Sequence, residues 1–273
     1  QTGALEALEW KAAYEKKYGK YSDRPQPIVT RVKLQVDIYP DEGTAAFKGM
    51  YVLVNKTGVK IDTLFLSTSP EVEHHTLGWS RRLKSQVVDE DLDFRMYLLE
   101  KPILPGDSFQ LAFYVSYDPK GFPNYGMPTT VVKNGTYFDD SWLPAIGYLN
   151  SRQIFNANDR KAQGLQPKSF LESDVVSYAQ QRVAFEAIVG TEKGQTAVAP
   201  GRLVKSWTEK DRSYYHYMTE NGVNYKLAFF SSAYDVHKAQ YKPDSGQVVA
   251  ISILHHPEHI HNLDPMIRGV QAS

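Results

Sequence analysis

Four imidazoles stand within seven residues at His255-His256-Pro257-Glu258-His259-Ile260-His261. Neutral histidine nitrogens hold zinc, so His255, His256, His259 and His261 are the metal-ligating candidates, with Glu258 as a further ligand or a general base. The helical zinc motif HExxH needs two histidines at i and i+4 with glutamate after the first, so that both rings share one helix face. His255 and His259 have the spacing, but His256 occupies the glutamate position. Pro257 sits inside the turn and breaks the helix that would present the ligands. The pattern therefore favours a strand, Val248 to Leu254, running out into a loop of exposed histidines. HExxH itself occurs nowhere in the 273 residues.

Other reactive patterns are weaker. No GxSxG elbow marks a nucleophilic serine, and there is no phosphate-binding glycine loop. Asn55-Lys56-Thr57 and Asn134-Gly135-Thr136 are formal glycosylation sequons, meaningful only in a secreted eukaryotic protein. The clusters Tyr214-Tyr215-His216-Tyr217 and Phe229-Phe230 have the chemistry of a stacking platform for sugar or peptide. Sheet alternation instead makes them one buried face with the other half-exposed.

The elements that would position these groups are mostly strands. Between Gln181 and Val236, short alternating runs (Val183, Phe185, Ala187; Tyr215, Tyr217; Leu227, Phe229) are separated by Glu192-Lys193-Gly194, Pro200-Gly201, Glu209-Lys210-Asp211 and Asn221-Gly222. These are turn residues, and the pattern predicts a β-meander. Upstream, Val32, Leu34, Val36 and Ile38 alternate with polar residues, and further strands are predicted at Ile61–Ser67, Leu83–Val88, Leu92–Leu99 and Ser108–Tyr117. Such spacing points to an antiparallel sandwich. Leu5 to Tyr21 reads as a helix whose apolar and aromatic stripes pack on the β-domain, and Arg24-Pro25-Gln26-Pro27 as an extended linker. From Asp118 to Pro167 the alternation fails under repeated proline and glycine, which marks the functional surface.

Composition excludes several classes. Thirty-one basic residues balance 31 acidic ones, which removes steering toward nucleic acid. There is no cysteine, hence no disulfide framework and no thiolate metal site. No apolar run approaches the ~20 residues that span a bilayer. The chain opens at Gln1 without an initiator methionine, and Asp264-Pro265 reads as the start of a helix that only eight residues follow. Both features suit a piece of a longer protein.

Several blocks carry a family resemblance. A Pro-Gly turn, a strand with Trp207, Arg212 before an aromatic strand, and Ser231-Ser232-Ala233-Tyr234 resemble the end of the non-catalytic N-terminal domain of aminopeptidase N-like zinc metallopeptidases. The strand ending in Asp37-Ile38-Tyr39-Pro40, the Phe47-x-Gly49 strand and Asn55-Lys56-Thr57 before Ile61-Asp62-Thr63-Leu64 are similar to that domain's first hairpin. Asn134-Gly135-Thr136-Tyr137-Phe138, Trp142 to Tyr148, and Asp159-Arg160 with Gly164-Leu165 look most like the bacterial branch fused to ABC-type transporter permeases.

The resemblance runs from about Pro25 onward and implies a specific organisation. Residues 1–22 would be an N-terminal helix, 23–237 an all-β antiparallel sandwich domain, and 238–273 the truncated start of a catalytic domain. The parent would remove N-terminal residues from peptides with zinc held beyond this chain, on the extracytoplasmic side of a membrane. Its partners would be its own catalytic domain and the peptide substrate, and this stretch would hold no cofactor. Asp139 and Asp140 are then the candidates for contacting the substrate's free amine. Beside that stands a turn whose aspartates cap backbone N–H groups, with adjacent strand residues facing opposite sides. The alternative function is a self-contained β-sandwich module that binds carbohydrate or protein.

Overall fold

The computed structural model describes residues 2–119, 129–168, 182–243, 246 and 248–272. Among these the strands form four sheets. The largest is built on β1 (Ile28–Tyr39) and β2 (Thr44–Val54), a hairpin whose turn uses Gly43 at φ +70°. β2 pairs with β7 (Ser108–Tyr117), and β7 with the edge strand β4 (Glu73–Trp79). On its other side β1 pairs with β10 (Arg182–Glu192), followed by β13 (Arg212–Met218) and the edge strand β12 (Arg202–Glu209). β14 (Val223–Asn224) also joins β10. The β1–β10 pair is parallel and the other pairs are antiparallel. That one parallel contact joins segments about 150 residues apart, a pairing that needs a long crossover.

Two smaller sheets cover one face of this sheet. One has the order β5 (Leu83–Asp89), β6 (Phe94–Ile103), β3 (Ile61–Ser67), β9 (Ala145–Ile146). The other has the order β11 (Thr196–Val198), β15 (Ala228–Ser232), β8 (Thr136–Asp139). Period-two alternation supplies the core between them: Val32, Leu34, Phe47, Tyr51, Leu64 and Phe229 are all buried in one cluster. The large sheet's opposite face carries Arg31, Lys33, Gln35 and Lys48, all exposed.

The stretch from Gln181, itself outside the described residues, is therefore more than a meander. β12 and β13 form a hairpin that joins the large sheet through β13, whereas β11 and β15 belong to the three-stranded sheet. Alternation marks the face a residue takes, and does not mark which sheet its strand enters. The crossing uses Gly201 at φ +98°, where a Cβ would stand 2.5 Å from the Met218 carbonyl oxygen.

The helix α1 (Thr2–Tyr18) ends in a short 3-10 turn at Gly19–Tyr21. It covers the outer face of the β3–β6 sheet, burying Tyr14 and Tyr18 against Phe65, Phe94 and Tyr148. Its docking surface is the protein's own sheet. The strand β4 escapes the alternation rule because it is an edge strand with a register shift between His74 and Thr76. A fourth sheet pairs β16 (Asp235–Tyr241) with β17 (Val249–His255), against which α3 (Leu263–Ala272) packs Leu263 and Ile267 on Ile251 and Ile253.

Candidate functional site

The segment from Asp118 to Pro167 is built from short pieces: β8, a 3-10 turn at Asp140–Trp142, β9, another 3-10 turn at Asn150–Arg152 and α2 (Ala157–Ala162). The residues of its first part, 120–128, lie outside the described residues. Aromatic rings hold the middle of the segment down. The Trp142 ring lies between Phe138 (4.8 Å, 11°) and Tyr117 (4.3 Å, 16°), and its Nε1–H donates to Glu71 Oε2 at 2.7 Å. This stack anchors the chain on either side of Asp139 and Asp140.

Both aspartates engage backbone donors. Asp139 is the N-cap of the 3-10 turn, its Oδ1 accepting from Ser141 N–H at 2.9 Å. Asp140 Oδ1 accepts from Leu227 N–H at 2.9 Å, and its own N–H donates to the Leu227 carbonyl at 2.9 Å. Burial raises the Asp140 pKa, the Leu227 N–H works against that rise, and neighbouring Asp139 adds to it. Asp139 lies opposite Ala228 in the β8–β15 pair, two residues along from the Tyr137–Phe230 pair. Tyr137 and Phe230 are both exposed, with ring centroids 5.1 Å apart.

Asp159-Arg160 with Gly164-Leu165 turns out to be a clamp. The buried Arg160 guanidinium grips Glu15 of α1 through two hydrogen bonds of 2.9 and 2.7 Å, and also reaches the carbonyls of Ile154 and Gln166. α2 is started by Asn156, whose side chain accepts from Asn158 and Asp159 N–H. Fixed φ > 0 at Gly164 (+67°) closes the loop behind it.

His255 ends β17, and His256 to His259 form a turn in which His259 N–H donates to the His256 carbonyl at 2.8 Å. His256 Nδ1 accepts from Glu258 N–H at 3.3 Å, and the His256 and His259 rings lie 5.1 Å apart. Among the described residues no three His, Asp or Glu side chains converge as a metal would require. His255 closes the strand and His256 to His259 form the turn after it, so His255 and His259 do not stand one above the other on a helix face as the i, i+4 zinc motif requires.

The aromatic strand β13 divides by parity. Tyr215 and Tyr217 turn inward and donate to the Gln195 and Ala197 carbonyls, each at 2.9 Å. Tyr214 turns outward and stacks on Trp207 at 5.3 Å and 14°. Likewise Phe229 is buried and Phe230 exposed. The sequence signals for Trp207 and Tyr214 were present, but their partnership needs the β12–β13 register.

Comparison with solved structures identifies the architecture. An M1 zinc metallopeptidase from Deinococcus radiodurans superposes with a TM-score of 0.58 and 12% identity, over 93% of this chain and 55% of that one. A mutant of an M1 zinc metallopeptidase from the same organism, bound to a Tyr-Ser-Ala substrate, gives 0.56 and 13% over 93% and 55%. The fold is the aminopeptidase N-like N-terminal β one. This chain thus spans about 55% of the length of those structures. No protein-family model matches the chain, and no curated protein matches its sequence. No helix among the described residues is long and apolar enough to cross a membrane.

Proposed function

We propose that this chain is the non-catalytic N-terminal part of an aminopeptidase N-like zinc metallopeptidase. The observation that carries the reading is the extent of the likeness, 93% of this chain laid on 55% of a zinc metallopeptidase. The metal would be held by residues beyond this chain. In that reading 1–22 and 23–237 form the helix and the β-domain, and 238–273 begin the catalytic domain. The substrates would be peptides with a free N-terminus, as the Tyr-Ser-Ala complex of the neighbour suggests by analogy.

The β-domain would cap the active-site cleft, with the Asp118 to Pro167 segment toward the chemistry. Asp139, whose Oδ1 caps Ser141 N–H, would offer its second carboxylate oxygen to a substrate ammonium, and Asp140 would assist it. The block from Asn134 to Tyr148 favours a transporter-permease-fused, extracytoplasmic parent.

Reading the gene downstream of the Ser273 codon tests the main claim. In-frame HExxH followed at a distance by a second glutamate supports it; a frame that closes within a few codons, or continues without those ligands, overturns it. In the longer protein, Asp139→Asn or Asp140→Asn should raise KM for peptides. If both variants keep KM and kcat, the amine contact is wrong and the capping role stands alone.

A further inference from the structure

β5 ends the four-stranded sheet and among the described residues pairs with β6 alone, so one row of its backbone N–H and C=O groups faces outward. From Ser85 to Asp89 its pairing with Leu98 to Phe94 runs without irregularity, the register shift lying between Leu83 and Ser85. Edge strands are ordinarily blunted by a charge in mid-strand, a bulge or a covering element. The large sheet follows that rule: β12 has Lys205 in its middle with a register shift beside it, and β4 has Glu73, two histidines and a shift. The centre of β5 is Ser85-Gln86-Val87-Val88, uncharged and exposed throughout, with Val87 at 52% and Val88 at 39%.

Charges stand at the two ends of that centre, with opposite signs. Lys84 precedes it, and Asp89-Glu90-Asp91 follow it. Several neighbouring charges are already engaged: Asp89 holds Lys17 at 2.6 Å, Arg81 holds Asp107 at 3.1 Å, and the Lys20 ammonium lies over the Tyr21 ring at 5.1 Å. Lys84 and Glu90 are exposed and have no partner among the described residues. A strand with a positive start and a negative finish is complementary to itself run backwards. On the sheet's outer face Val87 stands opposite Met96, and the two help line a hollow of about 570 Å³ with Leu98 and Tyr21.

We propose that β5 pairs antiparallel with β5 of a second copy of this chain across a twofold axis, joining the two four-stranded sheets edge to edge. With Val87 on the axis, Val87 faces its own copy, Gln86 faces Val88, and Lys84 faces Glu90 at each end. Backbone hydrogen bonds supply the attraction, while the Val87 pair and the two Lys84–Glu90 pairs set the register. A second copy is favoured over an unrelated extended segment because the twofold matches both end charges at once. The contact is short, so the dimer is a weak one. β5 and β9 are opposite edges of their sheet, so the pairing is independent of the peptidase reading and survives if that reading fails.

Sedimentation velocity of the 273-residue chain over a range of concentrations tests it. Expected is a monomer–dimer equilibrium; a chain that stays monomeric up to about 100 μM overturns the proposal. Lys84→Glu or Glu90→Lys puts two like-charge pairs into the dimer and should weaken it by about tenfold or more, and the double variant should restore it. All three should unfold at the wild-type midpoint, since neither residue has a partner among the described residues. The chain has no cysteine, so Val87→Cys places a single thiol on the axis, within reach of its own copy. Mild oxidation should link that variant into a covalent dimer and leave Ser206→Cys, exposed in the middle of β12, monomeric. The proposal is overturned if dimerisation survives both single reversals unchanged, or if the double variant dimerises no better than they do. It is also overturned if Val87→Cys cross-links no faster than Ser206→Cys.

Discussion

Arg160 and Glu15, 145 residues apart in sequence, form a two-pronged ion pair in which Nη1 meets Oε2 at 2.9 Å and Nη2 meets Oε1 at 2.7 Å. Their side chains are only 4% and 12% exposed. The pair ties the N-terminal helix to the irregular segment that the fold places beside it. Its geometry suits guanidinium, which lysine cannot reproduce.

Arg160→Met leaves Glu15 partly buried without its cation, and Glu15→Gln leaves the guanidinium without its anion. Each should cost about 3–5 kcal/mol, the usual penalty for breaking a buried pair. The double variant should recover part of that loss. Urea unfolding midpoints measure all three, and strictly additive losses would show that the two residues are not coupled.

Tyr14 of α1 is fully buried against the β3–β6 sheet, and its hydroxyl accepts from Leu149 N–H at 3.0 Å while lying 3.3 Å from Ser67 Oγ. Tyr14→Phe keeps the ring contacts with Phe94 and Tyr148 and strands that N–H. A loss of about 1–3 kcal/mol is expected. Faster hydrogen exchange at the Leu149 amide distinguishes this cause from a general loosening of the helix.

Gly49 lies opposite Phe113, and a Cβ there would come within 2.0 Å of the Phe113 ring. Gly49→Ala must push a buried ring aside, at a cost of about 1–3 kcal/mol. Adding Phe113→Leu should make the alanine better tolerated than it is alone. An unfolding midpoint for Gly49→Ala equal to that of the wild type would show that the ring moves freely.

His74 is held neutral: burial, and next the Arg95 charge, bring its pKa down to about 4. The unfolded chain, titrating near 6.5, binds more protons between those values, so stability rises with pH across that window. The His74 contribution is fully present above about pH 6.5 and falls by about 3 kcal/mol by pH 4. His74→Gln should remove that dependence, so the wild-type advantage at pH 7 shrinks on acidification. Parallel stability curves from pH 7 to pH 4 would refute it.

The β-rich class, the first hairpin, and strands such as Ile61–Ser67 and Ser108–Tyr117 were legible in the residues because alternation and turn chemistry are local. β4 was not, since two histidines, a glycine and a register shift blur its alternation. The histidine run was legible as a strand end because Pro257 forbids the alternative helix. For Asp139 and Asp140, the residues alone left a substrate contact and a capping turn side by side. The Asp139 bond to Ser141 is local, the capping turn itself, whereas the Asp140 bond to Leu227 depends on β8 meeting β15 about 90 residues later.

What the chain determined by itself was the period of its strands, the sites of its turns and the absence of an HExxH helix, all set within a few neighbouring residues. Tertiary structure decided the rest. It set the parallel β1–β10 register, the division of one apparent meander between two sheets, the Arg160–Glu15 clamp and the Trp207–Tyr214 stack over Gly190. Apart from the hairpin stack, which needs the β12–β13 register, each of these joins residues distant in sequence, and a distant contact is selected by packing and register across the whole core.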